Sequence, residues 1–392
     1  MNYLLDKMTI VRLLFLICWI FQCCAVDLHV AKFFSSHMVL QEAPHRANVF
    51  GSYSLFVGPI TVGVSCESGK NFQYEAEVNS VNKTWLVTLD PVHSGDNCSI
   101  TITDLLDIIL LEDILFGDVW ICSGQSNMGW SLSAVENGNE IVEEAKNFTN
   151  IRAYKFERAT SEEPVDDIIE ERLGWIRWND GADEWPEDTP WDKPGHKKSP
   201  IADFSAICYL YAREISEHLG NKPLGLIVSA YAGTRIEGWL TKDALEKCDV
   251  EDHVDEDHPY NSNGNVYNAM IHPIQRMSIK GLVWYQGEAN SFWNTDKYSC
   301  TLHELVHSYR KIWNNNSDTA PHFPVGIIQL GALANPPSPG ERKNDGEHFP
   351  LIRWHQTLDQ GVLPNKMDHN MFMGMAIMGK YILITSSYQL ED

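Results

Sequence analysis

Three short stretches of the chain carry the residue types that acyl transfer uses. In Gly117-Asp-Val-Trp-Ile-Cys-Ser-Gly-Gln-Ser-Asn-Met-Gly-Trp130 an apolar run breaks off into small polar residues, which leaves the Ser126 hydroxyl where a buried strand would end. A hydroxyl in that place is a candidate nucleophile, and a helix starting beside it would aim free N–H groups at a developing oxyanion. The pentapeptide alone fits a helix N-cap better, because the two glycines that flank the serine of a nucleophile elbow are absent and Asn127 and Met128 follow instead. In Leu226-Ile-Val-Ser-Ala-Tyr-Ala-Gly-Thr-Arg-Ile-Glu-Gly-Trp239 a strand again runs into small residues, where Gly233 could bring its N–H close to a bound carbonyl or simply make a turn. Val283-Trp-Tyr-Gln-Gly-Glu-Ala-Asn290 ends a third apolar run in hydrogen-bonding side chains, which a helix-capping loop would explain equally well.

The elements that would position these residues follow from hydrophobic patterning. Apolar segments at 118–122, 224–229, 281–285, 324–330 and 371–378 alternate with helical stretches such as 202–219 and 301–313, which predicts an α/β layer with a mostly parallel sheet. Reactive groups of such sheets sit at the carboxyl ends of strands, which is where Ser126, Gly233 and Gln286 fall. Residues 26–115 instead show short, regularly spaced strands and turns, the pattern of a small β-sandwich. The expected organisation is therefore a β-rich domain over 26–115, an α/β domain over 116–378 with an irregular insertion near 174–200, and a divergent tail over 379–392.

Charge narrows the partners: 30 Lys and Arg against 53 Asp and Glu leave −23, which argues against nucleic acid and anionic membrane surfaces. Lys7 and Arg12, the apolar run 13–21 and Cys23-Cys24-Ala25 predict a secretory signal peptide over 1–25, and no other stretch approaches a membrane span. Six cysteines lie beyond it, with no CxxC pair, so disulfides are expected rather than a zinc site; Cys122, inside an apolar strand, is read as a free thiol. Sequons at Asn82, Asn97, Asn147 and Asn315 agree with export, and the expected location is secreted or lysosomal.

In this order the three stretches resemble those of the SGNH (GDSL-like) hydrolases, and more closely those of the sialate O-acetylesterases and related carbohydrate acetyl esterases. The resemblance runs to about residue 377 and includes Trp175, Asn268-Ala-Met-Ile-His-Pro273 and Ile352-Arg-Trp-His-Gln356. It implies an SGNH-like three-layer α/β domain preceded by the β-sandwich, Ser126 as nucleophile, and an oxyanion hole formed by the Ser126 N–H, Gly233 and the Gln286 side chain. Glu288 and Asn290 would support their loop. The implied reaction removes O-acetyl groups from sialic acids of glycoconjugates through an acetyl-enzyme, without metal or cofactor.

The resemblance also implies a base from an Asp-x-x-His stretch following the strand that here reads Met371-Phe-Met-Gly-Met-Ala-Ile-Met378; Gly379–Asp392 contains no such stretch. The expectation is a shortened chain of weak activity. Two alternatives stay open: an acetyl esterase for another glycan, and an inactive glycan-binding or non-functional short form. Asp90/His93, Asp255/His258 and Asp345/His348 match the spacing but read as loop residues, His355 reads as packed or substrate-facing, and Asp368-His369 is adjacent rather than spaced. Trp175, Trp178, Trp185 and Trp191 are candidates for stacking on a sugar ring, although core packing is the commoner use of Trp.

Overall fold

The computed structural model describes residues 28–178, 199–331, 348–377 and 381–384. The expected signal peptide, most of the insertion with Trp185 and Trp191, Asp345, and most of the tail lie outside the described residues.

The central sheet is built on β1 (Ile108–Gly124), β2 (Ile151–Phe156), β3 (Glu171–Arg177), β4 (Leu224–Ala230), β5 (Gly281–Tyr285), β6 (Val325–Gln329), β7 (Met371–Ile377) and β8 (Tyr381–Ile384). Their spatial order is β3-β2-β4-β1-β5-β6-β7-β8. The six inner strands pair in parallel, and β3 and β8 close the two edges antiparallel. Near-continuous burial of β4, β5 and β6 is what a parallel sheet covered on both faces demands, and it explains why these strands read as unbroken apolar runs.

Side-chain alternation sorts the two covering layers. Trp120 and Cys122 point to one face, where Trp120 meets Tyr211 of α1 (Ala206–His218) at 5.1 Å between ring centroids. Trp284 points to the other, against Trp239 at 5.7 Å; α2 (Tyr298–Asn316) covers that side, its Tyr309 hydroxyl donating to Trp239 O. A third helix, α3 (Phe349–His355), packs near the carboxyl end of β5.

The N-terminal region is a sandwich of two antiparallel layers. One comprises Leu28–Val30, Asn48–Tyr53, Thr84–Thr88 and Glu77–Asn79; the other comprises Thr61–Cys66, Asn71–Glu75, Asn97–Thr103 and the first half of β1. The boundary expected at 115/116 thus falls inside one 17-residue strand. Up to Leu115 its buried positions are interrupted by exposed ones, as in a half-buried sandwich strand, and from Phe116 to Gly124 every residue is buried.

Two expectations are corrected. Cys122 is not a free thiol: it pairs with Cys208 and ties β1 to α1, beside the bridges Cys66–Cys98 and Cys248–Cys300. Its place on the face that α1 covers brings the two sulfurs together, which burial alone does not reveal. Trp175 and Trp178 are core residues rather than sugar platforms; Trp175 packs on Tyr154 and donates to Phe33 O, and Trp178 packs on Phe204 and Tyr209. Of the sequon asparagines, Asn82, Asn147 and Asn315 are exposed and Asn97 is half-buried on its strand. No helix among the described residues is long and apolar enough to cross a membrane.

Candidate active site

Strand register brings the three polar stretches to one place. Gly124 at the end of β1 pairs with Ala230 of β4 on one side and Tyr285 of β5 on the other, so three adjacent strands end level. Ser126, Gly233 and Gln286 follow those ends by two, three and one residues. The chain passes from β1 outward to β2, back to β4, and then across to β5, which makes this the point where strand order reverses and a crevice opens. Gly124 has φ +137°, and a Cβ there would lie 2.1 Å from Tyr285 O, so only glycine lets the chain leave the sheet between its neighbours. Cross-links hold the loops in register: Gln125 N–H donates to Tyr285 O, Tyr231 N–H to Gly124 O, and Ala289 N–H to Gln125 Oε1 at 3.3 Å.

Ser126 does not cap a helix. Residues 126–129 form a single turn closed by Met128 and Gly129 N–H on Gln125 O, so the expected helix dipole behind the serine is replaced by individual N–H groups. The Ser126 hydroxyl and the Ser126 and Gly233 N–H groups have no hydrogen-bond partner among the described residues. Gly233 is exposed with φ +78°, a conformation that turns its amide out of the strand path.

Gln286 reaches the site but its amide is already used. Nε2 donates to Thr234 O (3.1 Å) and Asn290 Oδ1 (2.8 Å), Oε1 accepts from the Tyr298 hydroxyl (2.8 Å), and the side chain is fully buried. In this arrangement it has no N–H left for an oxyanion; it ties the Gly233 loop to β5 and α2. Asn290 is used as completely, accepting from Ile236 N–H (2.9 Å) and donating to Glu237 Oε2 (2.9 Å) and Trp293 O (3.3 Å). From α3, Gln356 Nε2 donates to Gln286 O (3.2 Å).

Glu288 stands on the serine side, where Asn127 Nδ2 donates to its Oε1. Its Oε2 is buried without a partner, and burial pushes the carboxyl up from its ordinary range against the opposing hydrogen bonds from its own backbone and from Asn127. Glu237, Tyr298 and Gln356 were not singled out from the sequence. Glu237 had a legible signal, a lone acid in Ile236–Trp239 between apolar residues; Tyr298 and Gln356 lie on elements that only the fold brings near.

The histidine candidates disperse. Asp90 lies in the sandwich beside Arg46. His258 Nδ1 is 3.6 Å from Asp255 Oδ1 on an exposed loop whose Tyr260 stacks near Tyr231. Asp368 pairs with Arg310 at the opposite, amino-terminal end of β7. His355 is buried with Nδ1 on Asp359 Oδ1 (2.6 Å) and Nε2 without a partner. Among the described residues no group of three or more His, Cys, Asp or Glu is placed to hold a metal ion.

Comparison with known proteins fits this geometry. The profile of the family described as "Carbohydrate esterase, sialic acid-specific acetylesterase" matches residues 116–346. The chain is 32% identical over 380 residues to the sialate O-acetylesterases of Pongo abelii and Homo sapiens, an alignment covering 92% of this chain and 67% of those proteins. The Mus musculus sialate O-acetylesterase is 31% identical over 390 residues, covering 90% of this chain and 68% of that protein. Among solved structures, a carbohydrate acetylesterase from Xanthomonas citri superimposes with a TM-score of 0.68 at 22% identity, covering 89% of this chain and 68% of that one, which shows a shared fold.

Proposed function

The chain belongs to the carbohydrate esterase, sialic acid-specific acetylesterase family, and we propose from that membership and the site geometry that it hydrolyses O-acetyl esters of sialic acids with Ser126 as nucleophile. The observation that carries the reading is the convergence of a partner-free serine hydroxyl with two partner-free N–H groups at the level ends of β4, β1 and β5. The Ser126 oxygen attacks the acetyl carbonyl, and the carbonyl oxygen takes up negative charge against the N–H groups of Ser126 and Gly233. Collapse breaks the ester C–O bond and the sugar oxygen leaves as an alcohol with the proton given up by Ser126; water then attacks the acetyl-serine, releasing acetic acid and returning a proton to the serine oxygen. Gln286 and Asn290 act as braces that fix where the Gly233 N–H points.

The serine proton needs an acceptor, and among the described residues no imidazole or carboxylate is bonded to Ser126 Oγ. The same observation favours a second reading, glycan binding without turnover. Three disulfides support an oxidising compartment, in keeping with a secreted or lysosomal product. The test is acetate release from O-acetylated N-acetylneuraminic acid by the purified chain beside Ser126→Ala. Release that disappears in the variant supports the esterase; sugar binding with no release in either supports the second reading.

A further inference from the structure

The rim of the crevice carries a cation that the reaction above does not use. Arg235 lies two residues beyond Gly233, so their Cα atoms are at most about 7 Å apart, within the length of one sugar residue. Its backbone N–H donates to Asn261 Oδ1 (3.1 Å), which fixes where the side chain starts. The guanidinium is laid 4.0 Å over the Trp293 ring, with Nη1 3.4 Å from His253 Nε2. Trp293 in turn is 4.9 Å from the His253 ring, so the fork rests on one ring and is held at its end by the adjacent one. Among the described residues no carboxylate is within ion-pair distance of Arg235. Asp255 lies within its field, but one carboxyl oxygen of Asp255 already accepts the His258 N–H at 2.9 Å, and that bond, with the charges of His258, Arg235 and His253, holds its pKa down. The rim also carries two tyrosines: Tyr231 and Tyr260 face each other at 5.0 Å, and Tyr260 lines Gly233.

A half-buried, pre-oriented guanidinium without a carboxylate, set among aromatic rings beside the oxyanion loop, is the chemistry that recognises an acidic sugar. Resting on the esterase reading above, we infer that Arg235 is the receptor for the substrate's carboxylate, and that this contact selects acetylated sialic acids over acetylated neutral sugars. The contact acts through binding, since the carboxylate is remote from the ester bond that breaks.

The test uses the full chain, so that it does not depend on turnover. Calorimetry compares the α-methyl glycoside of N-acetylneuraminic acid with the same glycoside esterified at its carboxyl group. The acid binds the wild type about tenfold or more tightly than the ester, the preference for a charge-assisted contact. Arg235→Met removes the preference and leaves ester affinity unchanged, Arg235→Lys keeps part of it, and unchanged thermal unfolding shows that both variants fold. Arg158→Met, which deletes the exposed guanidinium 6.0 Å from the Tyr231 ring, retains the preference and separates a specific contact from general surface charge. Equal affinity of acid and ester, preference surviving in Arg235→Met, or no binding of either at millimolar concentration overturns the assignment. The parent reading is scored separately with 4-nitrophenyl acetate, a neutral substrate. Ser126-dependent cleavage with no acid preference leaves the esterase and sinks the Arg235 contact; acid preference with no cleavage of any acetate does the reverse.

Discussion

The loop after β5 and the turn after β1 meet across the crevice and are built to opposite rules. Around Gln286 and Asn290 each side-chain polar atom has a partner, and the partners come from the β4 loop, α2 and the Glu237 turn. Around Ser126 the hydroxyl and its own N–H have none among the described residues, and one oxygen of neighbouring Glu288 is buried alone. The difference follows from what each side does. On the proposed reading Gln286 and Asn290 fix the Gly233 N–H beforehand, so nothing on that side reorganises as charge develops on the carbonyl oxygen. A nucleophile must keep a lone pair available, and unmet polar groups of this kind cost stability where they stand.

Ser126→Ala breaks the comparison at its weak side and has the largest expected effect on rate. kcat/KM for an acetyl ester falls by about four orders of magnitude, while the unfolding free energy moves by less than about 0.5 kcal/mol because no hydrogen bond is lost. Paired kinetics and denaturant unfolding read both numbers. A stability loss of several kcal/mol would place the hydroxyl among the braces instead.

Asn290→Ala strikes the braced side, and there stability and rate fall together. Truncation leaves the Ile236 N–H and one oxygen of Glu237 buried without a partner and removes one of the two bonds that Gln286 Nε2 donates, a loss of about 3 kcal/mol or more. The Gly233 loop is then free to shift, so kcat drops with little change in the affinity for a neutral ester. Asn290→Asp, which retains the oxygen that accepts from Ile236 and Gln286 but replaces the donating NH2 with a carboxylate oxygen against Glu237, is expected to be worse than Ala at neutral pH and to recover as the pH is lowered.

How much of this contrast could be read from residues alone depended on whether the signal was local. Strands at 224–229, 281–285 and 371–378 were legible to within about a residue, because a strand covered on both faces has to be apolar throughout. The continuity of β1 is not local in the sequence, where the patterning changes near 115/116; Asp118 inside the strand is buried at 3.2 Å from Lys222 and 3.9 Å from Lys280, two cations more than a hundred residues away. The same limit hid the role of Gln286. A polar residue at a strand end announces a site, but whether its amide faces a substrate or Thr234, Asn290 and Tyr298 depends on contacts among three elements. The pairing of Cys122 is non-local in the same way, since its partner Cys208 is set by how α1 lies on the sheet.

Glu288→Gln sharpens the comparison with pH. The carboxyl has a folded pKa raised above the ordinary 4.5, chiefly by burial, so the folded state holds its proton more tightly than the unfolded chain does. Stability therefore falls as pH rises from the unfolded value through the raised folded value, and it stays lower above that window. Glutamine keeps an acceptor for Asn127 without the charge. The variant is expected to melt higher than wild type at neutral pH, and the gap should close as the pH is lowered toward 4.5. A gap that is independent of pH would mean that the carboxyl is not the source of the cost.

The smallest effect is expected at the His355–Asp359 pair at the end of α3, and it decides whether proton transfer belongs to that pair. His355 is buried and its Nδ1 is 2.6 Å from Asp359, yet the Asp359 side chain is 42% exposed, so solvent screens the contact. Asp359 also has φ +60°, following Leu358 at +53°, a left-handed pair of residues in which Asp and Asn are the side chains best tolerated at the second position. Asp359→Asn therefore keeps the backbone and removes only the charge. A packed histidine predicts a loss of about 0.5 kcal/mol, with kcat/KM for an acetyl ester within about twofold of wild type. A histidine that took the Ser126 proton would lose orders of magnitude when its carboxylate was neutralised, since that carboxylate would set its tautomer and steady its charge. The large outcome would move His355 from the packed interior to the reacting side of the crevice, and the small one leaves the serine proton without an acceptor on α3.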